Sequence, residues 1–166
     1  MRLHLIRHGD ANHDRATWHS DDRRPLSRKG HTEARRCGEA LRILGATPDL
    51  VLSSPLLRAR ETADDVCEAL GGGLVPVVTD VMAPGADPDS LLSEIAIHHP
   101  GALEIVCTGH MPDMGYMAAF FSTGQLHTPF RVKTGTLIRA DISDHDFRLG
   151  WYLPPKAVRK VAGSAS

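Results

Sequence analysis

The stretch M1-R-L-H-L-I-R-H-G-D-A11 decides how the rest of the chain is read. Residues 2–6 are short, mostly apolar and alternating, as in a strand entering a core, and the run stops abruptly at Arg7, His8 and Gly9. A strand that ends on a cation, an imidazole and a glycine raises the question of what its end touches. Beyond it, Gly9 to Arg24 is polar and reads as a loop.

Working outward, the same pattern of compact strand and following helix recurs. Ser27 is a suitable N-cap for a helix whose Ala34, Cys37, Leu41 and Leu44 repeat on one face until Gly45. Leu50–Ser53 reads as a second strand. Ser54 is then expected to be the N-cap and Pro55 the first position of a helix running to about residue 70, where Gly71-Gly72-Gly73 ends it. Residues 74–78, LVPVV, suit an edge strand because Pro76 lacks a donor. Asp87-Pro88 opens a short helix with Leu91, Leu92, Ile95 and Ala96. LEIVCT, residues 103–108, is a continuous apolar strand of the type covered on both faces, followed by Gly109, His110 and a helix after Pro112 carrying Met114, Met117, Ala118 and Phe121. GTLIRADI and DFRLGWYL, around a Ser143 to His145 turn, read as a hairpin, and the residues after Pro154-Pro155 as a mobile tail.

Alternating strands and helices predict an α/β domain of three layers, α/β/α, with a mostly parallel central sheet and a C-terminal hairpin. A single domain over residues 1–153 with a tail over 154–166 fits a chain of 166 residues that is 42% hydrophobic. The net charge of -1 supplies no global field for nucleic acid or an acidic membrane surface, so any basic site must be local. Cys37, Cys67 and Cys107 are odd in number and lie in core-forming segments, which reads as reduced thiols and a cytoplasmic protein. No run approaches transmembrane length, and neither C-x-x-C nor H-E-x-x-H occurs.

In open α/β sheets ligands bind beyond the carboxyl ends of the strands. Three such ends are polar here: Arg7-His8-Gly9, Ser53 to Arg58, and Thr108-Gly109-His110. Two histidines with arginines beside them prefer a dianionic tetrahedral group such as a phosphoryl group, and neutral imidazole is itself nucleophilic near pH 7. Helix geometry does not by itself choose Arg58 over Arg60. Singly, each residue has an ordinary structural explanation; His4 reads as a core or sheet-face residue, His13, His19, His127 and His145 as loop residues, and His98 and His99 as a helix end.

Taken together, LIRHGDA, RPLSRKG, VLSSPLLRARETA, APGAD and GHMPDMG, in this order and spacing, resemble the histidine phosphatase superfamily, which includes the phosphoglycerate mutases. Within it the chain is similar to the small SixA-type phosphohistidine phosphatases over about residues 1–153. The resemblance implies a phosphoglycerate mutase-like fold, His8 as the phosphorylated nucleophile, and Arg7, Arg58 and a protonated His110 gripping the phosphoryl oxygens. Arg24, Gly9 and Ser54 are the further substrate-binding candidates. No metal or other cofactor is called for. The expected substrate is a phosphorylated signalling or phosphorelay protein of the histidine phosphotransfer domain type, with no nucleic-acid or membrane partner. The alternatives are a phosphatase of small phosphomonoesters, which needs a general acid from among Asp80, Asp10 and Asp21, and a catalytically silent phosphate-binding module.

Overall fold

The computed structural model describes every residue except His127, Asp144, His145 and Ser166, and the side chain of Ala165. The expected turn at 143–145 and the readings of His127 and His145 therefore fall wholly or partly outside the described residues. The elements follow in the order β1 (Arg2–Arg7), α1 (Arg28–Ile43), β2 (Leu50–Ser53), α2 (Leu57–Leu70), β3 (Val77–Val78), α3 (Pro88–His98), β4 (Glu104–Gly109), α4 (Asp113–Thr123), β5 (Leu137–Ser143), β6 (Asp146–Leu153) and α5 (Pro155–Ala162). Six strands form one sheet in the order β3-β2-β4-β1-β5-β6. The β3-β2-β4-β1 pairs are parallel and β1-β5-β6 antiparallel, so the expected mostly parallel central sheet with a C-terminal hairpin forms, the hairpin making it a mixed sheet.

Each face of the sheet is covered because β1, β2 and β4 are apolar on both sides. One layer packs Leu3, Leu5, Leu52, Ile105 and Cys107 against Leu91 and Ile95 of α3 and Met114, Met117 and Phe121 of α4. The other sets Ile6, Val51 and Val106 against Cys37 and Leu41 of α1, Ala63 and Val66 of α2, and Val158 of α5. The three thiols are buried and unpaired, and burial pushes them up, to about 12 at Cys37 and Cys107 and about 11 at Cys67.

Two local expectations change. Helix α2 begins at Leu57 and its N-cap position is Leu56, so Ser54 does not cap it. Ser54 instead continues β2, its amide bonded to the Thr108 carbonyl (3.1 Å), which delays the helix by two residues. The residues after Pro154-Pro155 are not a loose tail. Pro155 stands in the first turn of α5, and Val158, only 2% exposed, packs into the layer formed by α1 and α2.

Candidate active site

Register brings the three polar strand ends side by side. β4 lies between β1 and β2, with Arg7 opposite Gly109 and Ser53 opposite Thr108. One further backbone bond on each side, His8 N–H to Gly109 O (3.0 Å) and Ser54 N–H to Thr108 O, carries the chain past the sheet. Residues 8, 54 and 110 thus converge where the strands splay.

His8 is 7% exposed and its orientation is fixed. Its Nδ1 lies 2.7 Å from the carbonyl of Gly9, which can only accept, so Nδ1 carries the proton and Nε2 keeps its lone pair. Gly9 is held in turn: its amide donates to Thr62 Oγ1 (3.1 Å), and its α-carbon faces Gly30 of α1 so closely that a Cβ at either position would collide with backbone. The glycine after His8 therefore serves close packing and the aim of the imidazole. Its amide is occupied by Thr62, which the expectation of a substrate contact at Gly9 did not foresee.

Arg58 settles the choice that helix geometry left open. It is 5% exposed, its Nε lies 3.3 Å from His8 Nε2, and Arg60 points to solvent. Its Nη1 donates to the Asp21 carbonyl (2.7 Å) and its Nη2 pairs with Asp21 Oδ2 (3.2 Å). Arg7 reaches the Val132 carbonyl through Nη1 (2.7 Å), while its buried Nε has no partner among the described residues. Arg24 pairs with Asp21 Oδ1 (3.1 Å) and lies over Trp18, as does Arg15 from the other side of the sequence. His110, 3% exposed, stands 5.2 Å from His8 between ring centroids; its Nε2 meets Ser54 Oγ at 2.7 Å and its Nδ1 is buried without a partner among the described residues.

The electrostatics are one-sided. Burial, and then the charges of Arg58, Arg7 and Arg24, push His8 down to about 4 against the opposing pull of the Gly9 carbonyl. Burial, His8 and the same arginines push His110 down to about 3. Without a bound anion both rings are therefore neutral near pH 7; the protonated His110 expected during transfer would need the charge of a bound phosphoryl group. Arg7 and Arg58 are likewise lowered, first by burial. Crowded cations, two neutral imidazoles and unpartnered nitrogens on Arg7 and His110 define a pocket that an anion would relieve.

The candidate acids separate. Asp10 accepts from Ser27 Oγ (2.7 Å) and lies 3.7 Å from Lys29, fixing the start of α1. Asp80 is exposed, and among the described residues no hydrogen bond or ion pair joins its side chain to the site. Asp21 alone of the three touches the site arginines. Thr62, Trp18 and the Val132 carbonyl were missed; Thr62 had a faint signal, one turn beyond Arg58 on the same helical face, whereas the Val132 contact spans 125 residues. Among the described residues no group of three or more His, Cys, Asp or Glu is arranged to hold a metal ion. A polar cleft of about 690 Å³ opens at the opposite end of the sheet, but its Arg2, Glu104 and Asp141 are already paired with one another.

The mixed sheet with an arginine-histidine pocket at its carboxyl edge is the architecture of a histidine phosphatase-type α/β domain. The model of the histidine phosphatase superfamily, branch 1, matches residues 3–81. An uncharacterised protein of a Picosynechococcus strain is 35% identical over 140 residues, covering 83% of each chain. Phosphohistidine phosphatase SixA of Escherichia coli is 28% identical over 156 residues, 93% of this chain and 94% of that one. The solved structure of the protein histidine phosphatase SixA complexed with tungstate superposes with a TM-score of 0.82 at 27% identity, covering 94% of this chain and 98% of that one. The chain belongs to the histidine phosphatase superfamily.

Proposed function

We propose that this phosphatase works without a metal ion, through a phosphoryl group carried on His8 Nε2, and that its substrate is phosphohistidine on a signalling or phosphorelay protein of the histidine phosphotransfer domain type. The observation that carries the proposal is the fixed tautomer of His8: a neutral ring with Nδ1–H held by Gly9 and the Nε2 lone pair aimed among Arg58, Arg7 and His110. The SixA relative has been solved in complex with tungstate, a tetrahedral oxyanion, which supports oxyanion binding by the pocket here.

In this mechanism the Nε2 lone pair attacks phosphorus and the bond from phosphorus to the leaving nitrogen breaks in line. The other ring nitrogen of the substrate phosphohistidine takes up a proton beforehand, so the departing imidazole leaves neutral. Arg58, Arg7 and Arg24 hold the equatorial oxygens, whose charge also raises the proton affinity of His110 and lets that ring donate. Water then attacks phosphorus, the electron pair of the P–N bond returns to His8 Nε2, and the proton lost from water leaves with phosphate or solvent. Fixed guanidinium groups supply the positive charge that a metal ion supplies in other phosphoryl transfers.

An imidazole leaving group needs less acid catalysis than an alkoxide. That suits a site where Asp10 is committed to a helix cap, Asp80 stands outside, and Asp21 is tied to arginines. Three buried, unpaired thiols favour a cytoplasmic setting; among the described residues no helix is long and apolar enough to cross a membrane.

The test is a competition assay in EDTA, comparing phosphate release from a phosphohistidine-bearing phosphotransfer domain with release from a panel of phosphomonoesters, for the wild type and His8→Ala. Preference for the phosphohistidine protein, with His8→Ala inactive, is the expected result. Equal or better cleavage of monoesters would overturn the substrate assignment, activity lost in EDTA and restored by metal would overturn the metal-free mechanism, and no release from either would overturn the enzymatic reading.

A further inference from the structure

The nucleophile is not free in this structure. Arg58 Nε–H points at His8 Nε2 (3.3 Å), so the lone pair needed for attack is masked by a donor. In a guanidinium group Nε and Nη2 form one straight edge, the edge that takes two oxygens of a phosphoryl group side by side. On Arg58 this edge is shared between His8 Nε2 and Asp21 Oδ2, the latter at 3.2 Å. The other oxygen of the same carboxylate lies 3.1 Å from Arg24 Nε. One carboxylate therefore stands at ion-pair distance from two of the site's arginines, without closing a hydrogen bond to Arg24 Nε, and does so beside the nucleophile, where the oxygens of a phosphoryl group on His8 would have to sit.

We infer that Asp21 is an internal anion that fills the empty phosphoryl pocket and is exchanged for the phosphoryl group on binding. Its surroundings suit an exchange. Asp21 begins a three-residue 3₁₀ turn, its side chain is 59% exposed, and solvent can receive it when it leaves. Arg58 stays anchored meanwhile, because its Nη1 bond goes to the Asp21 backbone carbonyl, not to the carboxylate. The exchange sets selectivity: an entering group must outbid a carboxylate at two arginines, which a dianion with three oxygens does and a singly charged ligand does not. It also speeds turnover, since the returning carboxylate displaces product phosphate from cations that would otherwise retain it.

This rests on the phosphatase reading of the pocket, and the two can fail separately. Binding of inorganic phosphate to the wild type, Asp21→Asn and the neighbouring Asp22→Asn is measured by equilibrium dialysis, with Trp18 emission followed in parallel because Arg24 stacks on that indole. Asn keeps the size and the backbone contact but removes the charge, and thermal melting checks that each variant is folded. The inference expects Asp21→Asn to bind phosphate about fivefold or more tightly, the scale of one lost like charge at contact distance, with Asp22→Asn unchanged. Product inhibition by phosphate strengthens by the same factor. Unchanged or weaker binding in Asp21→Asn, with wild type binding normally, would overturn the inference, making Asp21 a mere support for the arginines while leaving the phosphoryl pocket intact. Failure of both wild type and Asp21→Asn to bind phosphate would overturn both readings.

Discussion

At the scale of single residues, the site depends on which nitrogen of His8 holds the proton and on how strongly its surroundings resist a second one. The Gly9 carbonyl decides the first, and burial among three arginines decides the second. His8→Ala should abolish phosphate release, and Arg58→Ala should lower kcat/KM by about 10²- to 10³-fold, the cost of one donor to transition-state charge. Both are read from steady-state kinetics on a phosphohistidine protein. Because His8 and His110 lie near about 4 and about 3 in the free protein, neither ring should titrate between about pH 5.5 and 8 when its ring-proton resonances are followed. Adding phosphate should bring protonation of at least one of them into that window; ordinary titration near 6.5 without phosphate would contradict the electrostatic account. Arg7, His8 and His110 were legible because strand ends are where an α/β sheet exposes chemistry, whereas Arg58, on α2, was chosen over Arg60 only through the family resemblance. Their partners were not: Asp21 meets Arg58 across 37 positions and Val132 meets Arg7 across 125, and no local pattern encodes such pairings.

At the scale of elements, periodicity located β1, β2 and β4 and the helices between them because both faces of those strands are apolar and the helices carry one clear stripe. It misplaced the start of α2, since Ser54-Pro55 has the chemistry of a helix start but the backbone there is still hydrogen-bonded to β4. It also passed over α5, whose signals were present but short: proline in the first turn, and Val158 and Val161 three apart. Val158→Ala should destabilise the protein by about 1–3 kcal/mol by opening a void against α1, measurable in a urea titration. The contact of Gly9 with Gly30 joins the end of β1 to the start of α1, which explains the glycine in RKG as a packing partner of the one in RHG. Gly30→Ala should cost about 1–3 kcal/mol of stability through overpacking and should depress activity at temperatures where the variant is still folded, because its Cβ would collide with the Asp10 backbone, one peptide beyond the Gly9 carbonyl that aims His8. Full activity in folded Gly30→Ala would show that the aim of His8 does not depend on this contact.

At the scale of the whole molecule, the sheet separates two polar ends. At the amino end Arg2 and Arg139 offset Glu104 and Asp141, and His4 is hydrogen-bonded to Glu104, while at the carboxyl end positive charge is left for a ligand. This arrangement links folding to pH. The folded values of His8 and His110 lie below the ordinary 6.5, so between about 6.5 and 3 the unfolded chain binds protons that the folded one does not. Stability is therefore full above about pH 6.5 and falls as the pH drops through about 4 to about 3. Thermal melts should show this acid slope beginning above the carboxylate range, and the slope should be reduced in His8→Asn and His110→Asn. An unchanged slope in both variants would place the acid sensitivity elsewhere. Whether the phosphoryl group is carried on His8 through Nε2 is decided by trapping the intermediate. The wild type is mixed with a ³²P-labelled phosphohistidine protein, quenched in alkali within milliseconds and digested, and the labelled peptide is located and its isomer assigned by phosphorus NMR on a scaled-up sample. The account expects label on the peptide containing His8, as the Nε2-phosphorylated ring, and none in His8→Ala; release of phosphate with no label on His8, or label on Nδ1, would contradict it.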